Sequence, residues 1–157
     1  MNTIYALAGP PASGKTTTIH KIKHILEIGN DMIMDDVMAQ PDWMELVKER
    51  VSVGNVIIAD IMFSTKLHRN EVESLGFPVR WYYMEKSAEQ CIINAIFRCV
   101  FMTPEHYASG RRNIDREIGF INSLSSQYFP EGDCIEGPKC PDLGMLKQAR
   151  AISGNLA

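Results

Sequence analysis

Short apolar runs and amphipathic segments take turns along the chain, and this pattern predicts strands that alternate with helices. The apolar runs predict strands at residues 4–8, 32–34, 56–59 and 77–84, and around 134–135. The segments with helical spacing predict helices, caps included, at residues 15–26, 41–54, 64–75, 87–100, 103–127 and 142–151. Such alternation predicts an α/β fold in three layers, with a parallel sheet of about five strands covered by helices on both faces.

The predicted helix ends carry residues with capping preferences. Gly29 and Asn30 are expected to end the first helix, and Ser64 is expected to cap the third. Ser87 and Gln90 have the spacing of a capping box, in which each side chain accepts a backbone N–H group of the other residue. These residues set the expected boundaries of the elements.

The composition is that of a single globular domain spanning residues 1–157, since 45% of residues are hydrophobic and 22% are charged. A net charge of −3 provides no overall basic field, so any contact with nucleic acid must come from a local patch. The four cysteines lack the spacing of zinc ligands, and reduced thiols are expected. No basic segment precedes the first apolar run, and no apolar stretch approaches bilayer length, which predicts a cytoplasmic protein without a membrane partner.

The stretch GPPASGKTT carries the strongest chemical signal of the sequence. Gly9 to Thr16 fits the pattern G-x-x-x-x-G-K-[ST], with a predicted strand before it and a predicted helix after it. In this pattern backbone N–H groups turn inward on phosphates, and the N-terminus of the helix adds positive potential. The predicted nucleotide-binding residues are Gly9, Pro10, Pro11, Ala12, Ser13, Gly14, Lys15, Thr16 and Thr17. Lys15 is expected to hold the β- and γ-phosphates of ATP, and Thr16 to bind Mg²⁺.

Aspartates end the next two predicted strands, at the sheet edge where open α/β proteins bind their ligands. Asp60 ends VIIAD and is expected to orient the water shell of Mg²⁺ through Thr16, although such an aspartate is also common as a loop cap. Asp35 and Asp36 end MIMDD, and one of them is expected to accept a proton from an attacking hydroxyl. We assign the base to Asp35 and helix capping to Asp36.

The segments GPPASGKTT, MDD and VIIAD, in this order, resemble the small P-loop kinases grouped around the phosphotransferase domain of phage polynucleotide kinase, within the zeta-toxin and AAA-type P-loop kinase group. The resemblance covers most of the chain. It implies ATP as the phosphoryl donor, Mg²⁺ as the metal, and Asp35 as the general base for an acceptor hydroxyl. It also implies that CIINAIFR and MTPEHYASGRRNI contribute to a small helical lid at about residues 98–116, in which Arg98 neutralises the transferring phosphate.

Two departures from this family concern the acceptor. Met38 stands where polynucleotide kinases carry an arginine that grips the acceptor's phosphate, and the apolar residues 61–63 follow Asp60 where the family has polar ones. The expected function is still ATP-dependent phosphoryl transfer to a hydroxyl on a nucleotide or nucleic acid, either a 5′-hydroxyl or a hydroxyl on a modified base. The alternatives are a nucleoside monophosphate kinase and a nucleotide-binding switch that transfers nothing.

The segment after Arg98 contains more arginines. Arg112 and Arg116 are expected to share one face of a helix, and Arg111 is expected to form an i,i+4 pair with Asp115. Because phosphoryl transfer depends on neutralising phosphate charge, each of these arginines is a candidate for the cleft, with a solvated helix face as the other interpretation.

Aromatic residues form two further groups. The run 81–83 lies within a predicted strand, so its side chains alternate between the faces of the sheet and core packing is expected. Trp43, Met62 and Phe63 lie near the acceptor end of the predicted sheet, and a pocket for a planar base is expected between them.

Overall fold

A five-stranded parallel sheet forms the centre of the fold in the computed structural model, which describes residues 1–141. The strands are β1 (Ile4–Ala8), β2 (Ile33–Met34), β3 (Val56–Asp60), β4 (Val79–Met84) and β5 (Cys134–Ile135). They lie in the order β2-β3-β1-β4-β5, and every neighbouring pair is parallel. Parallel strands need crossover connections, so the helices between them cover the two faces of the sheet.

Helices lie between the strands as the sequence predicts. They are α1 (Lys15–Leu26), α2 (Trp43–Val53), α3 (Lys66–Glu73), α4 (Ala88–Phe97), α5 (Pro104–Ala108) and α6 (Ile114–Gln127). A π-helical turn, Arg98–Met102, joins α4 to the segment that leads into α5. Among residues 1–141, no helix combines the length and the apolar character that a bilayer crossing requires.

The core lies on both faces of the sheet because side chains alternate along each strand. From β1, Ile4 and Ala6 enter a cluster that also contains Val47 of α2. Leu7 enters the cluster on the opposite face, where it packs with Ile19 of α1. This arrangement confirms the predicted three-layer α/β/α fold.

Several predicted helix ends are wrong in detail. The helix expected over residues 103–127 is two helices, because Gly110 has a φ of 79° and a helix cannot continue through that conformation. Thr65 holds the N-cap position of α3, whereas Ser64 is buried at the end of the preceding 3₁₀ turn. The first helix ends at Leu26 as predicted, but the residue that ends it is Glu27, with a φ of 54°, and not Gly29.

Other boundaries agree with the sequence. Ser87 caps α4 as predicted and accepts a hydrogen bond from the backbone N–H of Gln90 at 3.2 Å, but the Gln90 side-chain amide donates to Asn94 and to the Cys140 carbonyl rather than completing the predicted capping box. Gly54 ends α2, and Pro41 lies in the turn before that helix begins at Trp43. The helix predicted at 142–151 lies outside the described residues.

A buried tyrosine ties the end of α6 to the edge of the sheet where the glycine-rich loop begins. The Tyr128 hydroxyl lies 2.6 Å from the carbonyl oxygen of Met84 and 3.1 Å from that of Ala8, and the side chain is 0% exposed. The last residues of β1 and β4 are therefore held together just before the loop.

We expect Tyr128→Phe to lower the free energy of unfolding by about 1–3 kcal/mol, because it removes the buried hydroxyl that donates to the Met84 carbonyl at 2.6 Å. Denaturant unfolding measures the change. Tyr5→Phe is the matched control, since the half-buried Tyr5 ring stacks on Tyr82 on the other side of the sheet. An equal loss in both variants would contradict a specific role for the Tyr128 hydroxyl.

Candidate functional site

The glycine-rich loop lies between β1 and α1, at the C-terminal edge of the sheet. Its turns need unusual backbone angles, and Gly14 has a φ of 98° while Ala12 has a φ of 60°. A Cβ added at Gly9 would lie 2.7 Å from both the Met84 Cβ and the Ser13 Oγ, so only glycine fits there. The loop has the close backbone turns and the following helix N-terminus that the sequence predicts for a phosphate site.

Lys15 is folded back onto this loop. Its Nζ donates to the carbonyl oxygens of Gly9 and Pro10 at 2.7 Å each and lies 3.5 Å from the Ser13 Oγ. The residue is 8% exposed, and burial lowers the pKa of its ammonium to about 8, an effect that the charge of Asp35 partly opposes. The residue also lines the cleft beside the loop, so an anion bound there would lie next to its ammonium.

A cleft of about 240 Å³ runs along the loop and brings together most of the predicted site residues. Its walls include Pro11, Ala12, Gly14, Lys15, Thr16, Thr17, Asp35, Asp36, Arg98, Met102, Arg112 and Pro138. Asp35 and Arg98, which are distant in the sequence from Lys15 and Thr16, thus share one cavity with them. Asp60 does not line it.

Asp35 is the carboxylate that contacts the loop. Its Oδ2 accepts a hydrogen bond from the Thr16 hydroxyl at 3.0 Å, and its Oδ1 accepts one from the backbone N–H of Asp36 at 3.0 Å. Asp36 holds the N-cap position of the 3₁₀ turn Val37–Ala39 with a φ of 51°, but its side chain makes no capping hydrogen bond. The predicted capping role of Asp36 is therefore wrong. Burial first, and the charge of Asp35 next, raise the pKa of Asp36.

Asp60 makes the contacts of a loop cap. Its two oxygens accept hydrogen bonds from the backbone N–H groups of Met38 and Met62, at 2.9 Å each, and the residue is 5% exposed. It fixes the loops that follow β2 and β3, which matches the loop-cap interpretation. The carboxylate in direct contact with the Thr16 hydroxyl is that of Asp35.

The oxygen donors near Thr16 suit a hard cation. Mg²⁺ takes one or two carboxylates, keeps several waters and binds substrate phosphates, so it does not need a cage of protein ligands. The Thr16 hydroxyl and the Asp35 carboxylate on the cleft wall fit this requirement. Within residues 1–141 there is no cluster of three or more His, Cys, Asp or Glu side chains that can hold a metal ion.

The lid arginines meet at a glutamate that the sequence reasoning missed. Arg112 Nε lies 2.9 Å from Oε1 of Glu117, and Arg98 Nη2 lies 3.5 Å from Oε2. The Tyr107 hydroxyl donates to the same Oε2 at 2.7 Å and lies 3.3 Å from Arg98 Nε. Burial and the hydrogen bond to Glu117 raise the pKa of Tyr107, so the hydroxyl keeps its proton as a donor.

The predicted helical spacing of the other arginines is wrong. Arg111 and Arg112 lie in the turn before α6, so Arg111 and Asp115 are not an i,i+4 helical pair. Arg116 lies on α6 with its guanidinium 5.4 Å from the centre of the Phe120 ring, and it does not line the cleft. Arg98 and Arg112 are the lid arginines that do.

A segment after β5 lies against the glycine-rich loop and was not anticipated. The Asn94 side chain on α4 donates to the carbonyls of Ala12 and Pro138, at 3.0 and 2.9 Å, and accepts from the Cys140 backbone N–H at 2.9 Å. A Cβ added at Gly137 would clash with the Ser13 carbonyl oxygen, so the two backbones are in direct contact. The signal that the sequence offered for this contact was Asn94, a polar residue among the apolar residues of a predicted helix.

We expect Gly137→Ala to displace the loop and to lower the free energy of unfolding by about 1–3 kcal/mol, because backbone atoms must shift to admit the methyl group. Gly119→Ala is a control of opposite sign. Gly119 lies inside α6 with open space around it, so alanine there should stabilise the protein by roughly 0.5–1 kcal/mol. Thermal unfolding of both variants checks this, and a stable Gly137→Ala protein would refute the proposed contact.

The aromatic residues are part of the core. Trp43 is 6% exposed and Phe63 is 0% exposed, and their rings pack at 6.0 Å, so the predicted pocket for a planar base between them is wrong. In β4, Trp81 and Tyr83 pack on one face of the sheet and Tyr82 stacks on Tyr5 on the other. This confirms the predicted alternation.

Comparison with solved structures supports the fold. The crystal structure of APE1195 matches with a TM-score of 0.55 and 17% sequence identity, over 99% of this chain and 96% of that one. At this identity the match shows a shared fold and nothing about activity. No protein-family model matches the chain, and no protein of curated function matches it either.

Proposed function

We propose that this protein is an ATP-dependent kinase that transfers the γ-phosphoryl group to a hydroxyl on a nucleotide or nucleic acid. The observation that carries the proposal is one cleft lined by Lys15, Thr16, Asp35, Arg98 and Arg112. It combines a phosphate-binding loop, cations and a carboxylate, which are the groups that phosphoryl transfer needs. The resemblance of the sequence to small P-loop kinases points the same way.

Each group has a task in the transfer. The acceptor oxygen attacks the γ-phosphorus, the bond from that phosphorus to the β–γ bridging oxygen breaks, and ADP leaves with the electron pair. The proton of the acceptor hydroxyl passes to the Asp35 carboxylate. Lys15, Arg98 and Arg112 supply positive charge around the phosphates, and such charge stabilises the transition state in a site shielded from water.

Few residues of the protein would hold Mg²⁺. Thr16 would hold Mg²⁺ together with the phosphates of ATP, and Asp35 is the carboxylate in contact with that hydroxyl. Bound Mg²⁺ neutralises phosphate charge. Asp60 supports the site by holding the loops after β2 and β3 through hydrogen bonds to their backbone N–H groups.

The position of Asp35 suggests where the acceptor binds. Asp35 lines the cleft and also a second cavity of about 260 Å³. The other walls of this cavity are Ile33, Met34, Val37, Gln40, Leu46 and Arg50. A hydroxyl bound in this cavity would lie next to the Asp35 carboxylate, which also lines the cleft beside the glycine-rich loop. The small, half-apolar cavity suits one sugar or one base, with the rest of the acceptor outside.

The test is a transfer assay with radiolabelled ATP and separated acceptors. The panel contains nucleosides, nucleotides, single-stranded and duplex DNA, and DNA with hydroxylated bases. Label on a hydroxyl of any nucleotide or nucleic acid supports the proposal. Label only on the phosphate of nucleoside monophosphates would show a monophosphate kinase instead. ATP binding without transfer to any acceptor would show a nucleotide-binding switch.

A further inference from the structure

The lid contains a carboxylate that lies outside the cleft yet contacts both arginines inside it. Glu117 is on the first turns of α6, and its side chain is 14% exposed. Arg98 belongs to the π-helical turn and Arg112 to the turn before α6, and both side chains line the cleft. Glu117 is not among the cleft residues. It can act on a bound phosphate only through the arginines.

The contacts use both oxygens of Glu117. Oε1 lies 2.9 Å from Arg112 Nε, and Oε2 lies 3.5 Å from Arg98 Nη2 and 2.7 Å from the Tyr107 hydroxyl. Two guanidinium groups on one cavity wall repel each other, and a shared carboxylate offsets that repulsion. Each arginine keeps further N–H donors beyond the one that faces Glu117, since a guanidinium has five. These donors remain for an anion in the cleft.

We propose that Glu117 is a positioning residue that holds Arg98 and Arg112 as a pair for the terminal phosphate of a nucleoside triphosphate. This inference rests on the proposed function, because it assumes that the cleft binds ATP. The side chains of long arginines lose much rotamer freedom when they bind an anion. A carboxylate that orders both arginine side chains before the anion binds reduces that loss of freedom. It therefore strengthens the binding of the phosphate that the arginines contact.

Calorimetric titration with ATP, ADP and AMP tests the inference in the full-length protein. We expect Glu117→Gln to reduce the preference for ATP over ADP by about tenfold, while the affinity for AMP stays unchanged. Tyr107→Phe, which removes a second support of the same network, should reduce the preference less. Glu105→Gln is the matched control, because Glu105 is an exposed lid carboxylate near His106 only. It should leave the preference as it is.

A triple variant separates positioning from a simple loss of stability. If Glu117 acts through Arg98 and Arg112, adding Glu117→Gln to a protein that carries Arg98→Gln and Arg112→Gln should not reduce its preference for ATP over ADP any further. Equal losses of affinity for ATP, ADP and AMP in Glu117→Gln, or a further loss of preference in the triple variant, would overturn the inference. Wild-type protein that binds no ATP would instead overturn the proposed function, and the inference with it.

A second readout needs no nucleotide. In NMR relaxation measurements on the free protein, the Arg112 Nε nitrogen should show an ordered side chain, because the guanidinium pairs with Glu117 at 2.9 Å. The order should fall in Glu117→Gln and stay unchanged in Glu105→Gln. Order that persists in Glu117→Gln would show that Glu117 does not hold Arg112.

Discussion

Replacing Lys15 with methionine is expected to reduce phosphoryl transfer by at least about a hundredfold, because it removes a cation from the wall of the phosphate cleft. Methionine keeps the length of the side chain and removes the charge. The assay is the rate of label transfer from ATP at saturating acceptor. Lys21→Met is the control, since Lys21 is exposed on the same helix and should be replaceable without loss. Normal turnover in Lys15→Met would contradict the assignment of the donor site.

The same variant should reveal a pH dependence of stability. Unfolded Lys15 holds its proton up to about pH 10.5, whereas the buried side chain has a pKa of about 8. Between these values the unfolded state binds more protons, so the free energy of unfolding rises with pH over this window. Relative to Lys15→Met, the wild-type protein should gain up to about 3 kcal/mol from pH 8 to pH 10.5.

Denaturant unfolding of both proteins across this range measures that difference. The comparison is needed because burial raises the pKa of Cys91 to about 11 and raises that of Tyr128, so both proteins lose stability at the alkaline end. A difference that does not change with pH would mean that the Lys15 ammonium is not destabilised by burial in the folded protein.

Asp35→Asn is expected to slow transfer by about 10²–10⁴-fold and to weaken the binding of ATP with Mg²⁺ much less, because the carboxylate is only one of the groups near the proposed metal position. The amide keeps the shape of the side chain and can still accept a hydrogen bond from the Thr16 hydroxyl, but it cannot take a proton from an acceptor. Rates at saturating ATP and calorimetric ATP affinity separate the two effects.

Two other aspartates serve as comparisons for Asp35. Asp42→Asn alters an exposed residue just before α2 and should leave transfer unchanged. Asp36→Asn changes the neighbouring residue, which lines the same cleft. It should slow transfer less than Asp35→Asn does, because the Asp36 carboxylate does not contact Thr16. Near-full transfer in Asp35→Asn would rule out its role as the base and would favour a phosphate acceptor.

Local patterns were enough to predict most of the fold. The apolar runs located β1 and β5 at their observed bounds, and helical spacing located α1. These predictions hold because strand and helix periods are properties of neighbouring residues. The break at residues 109–113 was missed because the sequence between α5 and α6 has helix-forming residues on both sides of Gly110.

Contacts between distant residues were predicted less well. The loop motif and MIMDD placed Lys15, Thr16 and Asp35 near one another, because strand ends in a parallel sheet meet at one edge. The pairing of Thr16 with Asp35, and of Asp60 with two backbone N–H groups, depends on the exact path of the loops after β2 and β3. No local pattern encodes that path.

The sequence by itself determined the strand-helix order, the glycine-rich loop and its place between β1 and α1, since each depends on short-range backbone preferences. Only the tertiary structure decided that Asp35 pairs with Thr16, that Glu117 joins Arg98 and Arg112, and that Gly137 touches Ser13. Those contacts join segments far apart in the chain, and they arise from how whole elements pack together.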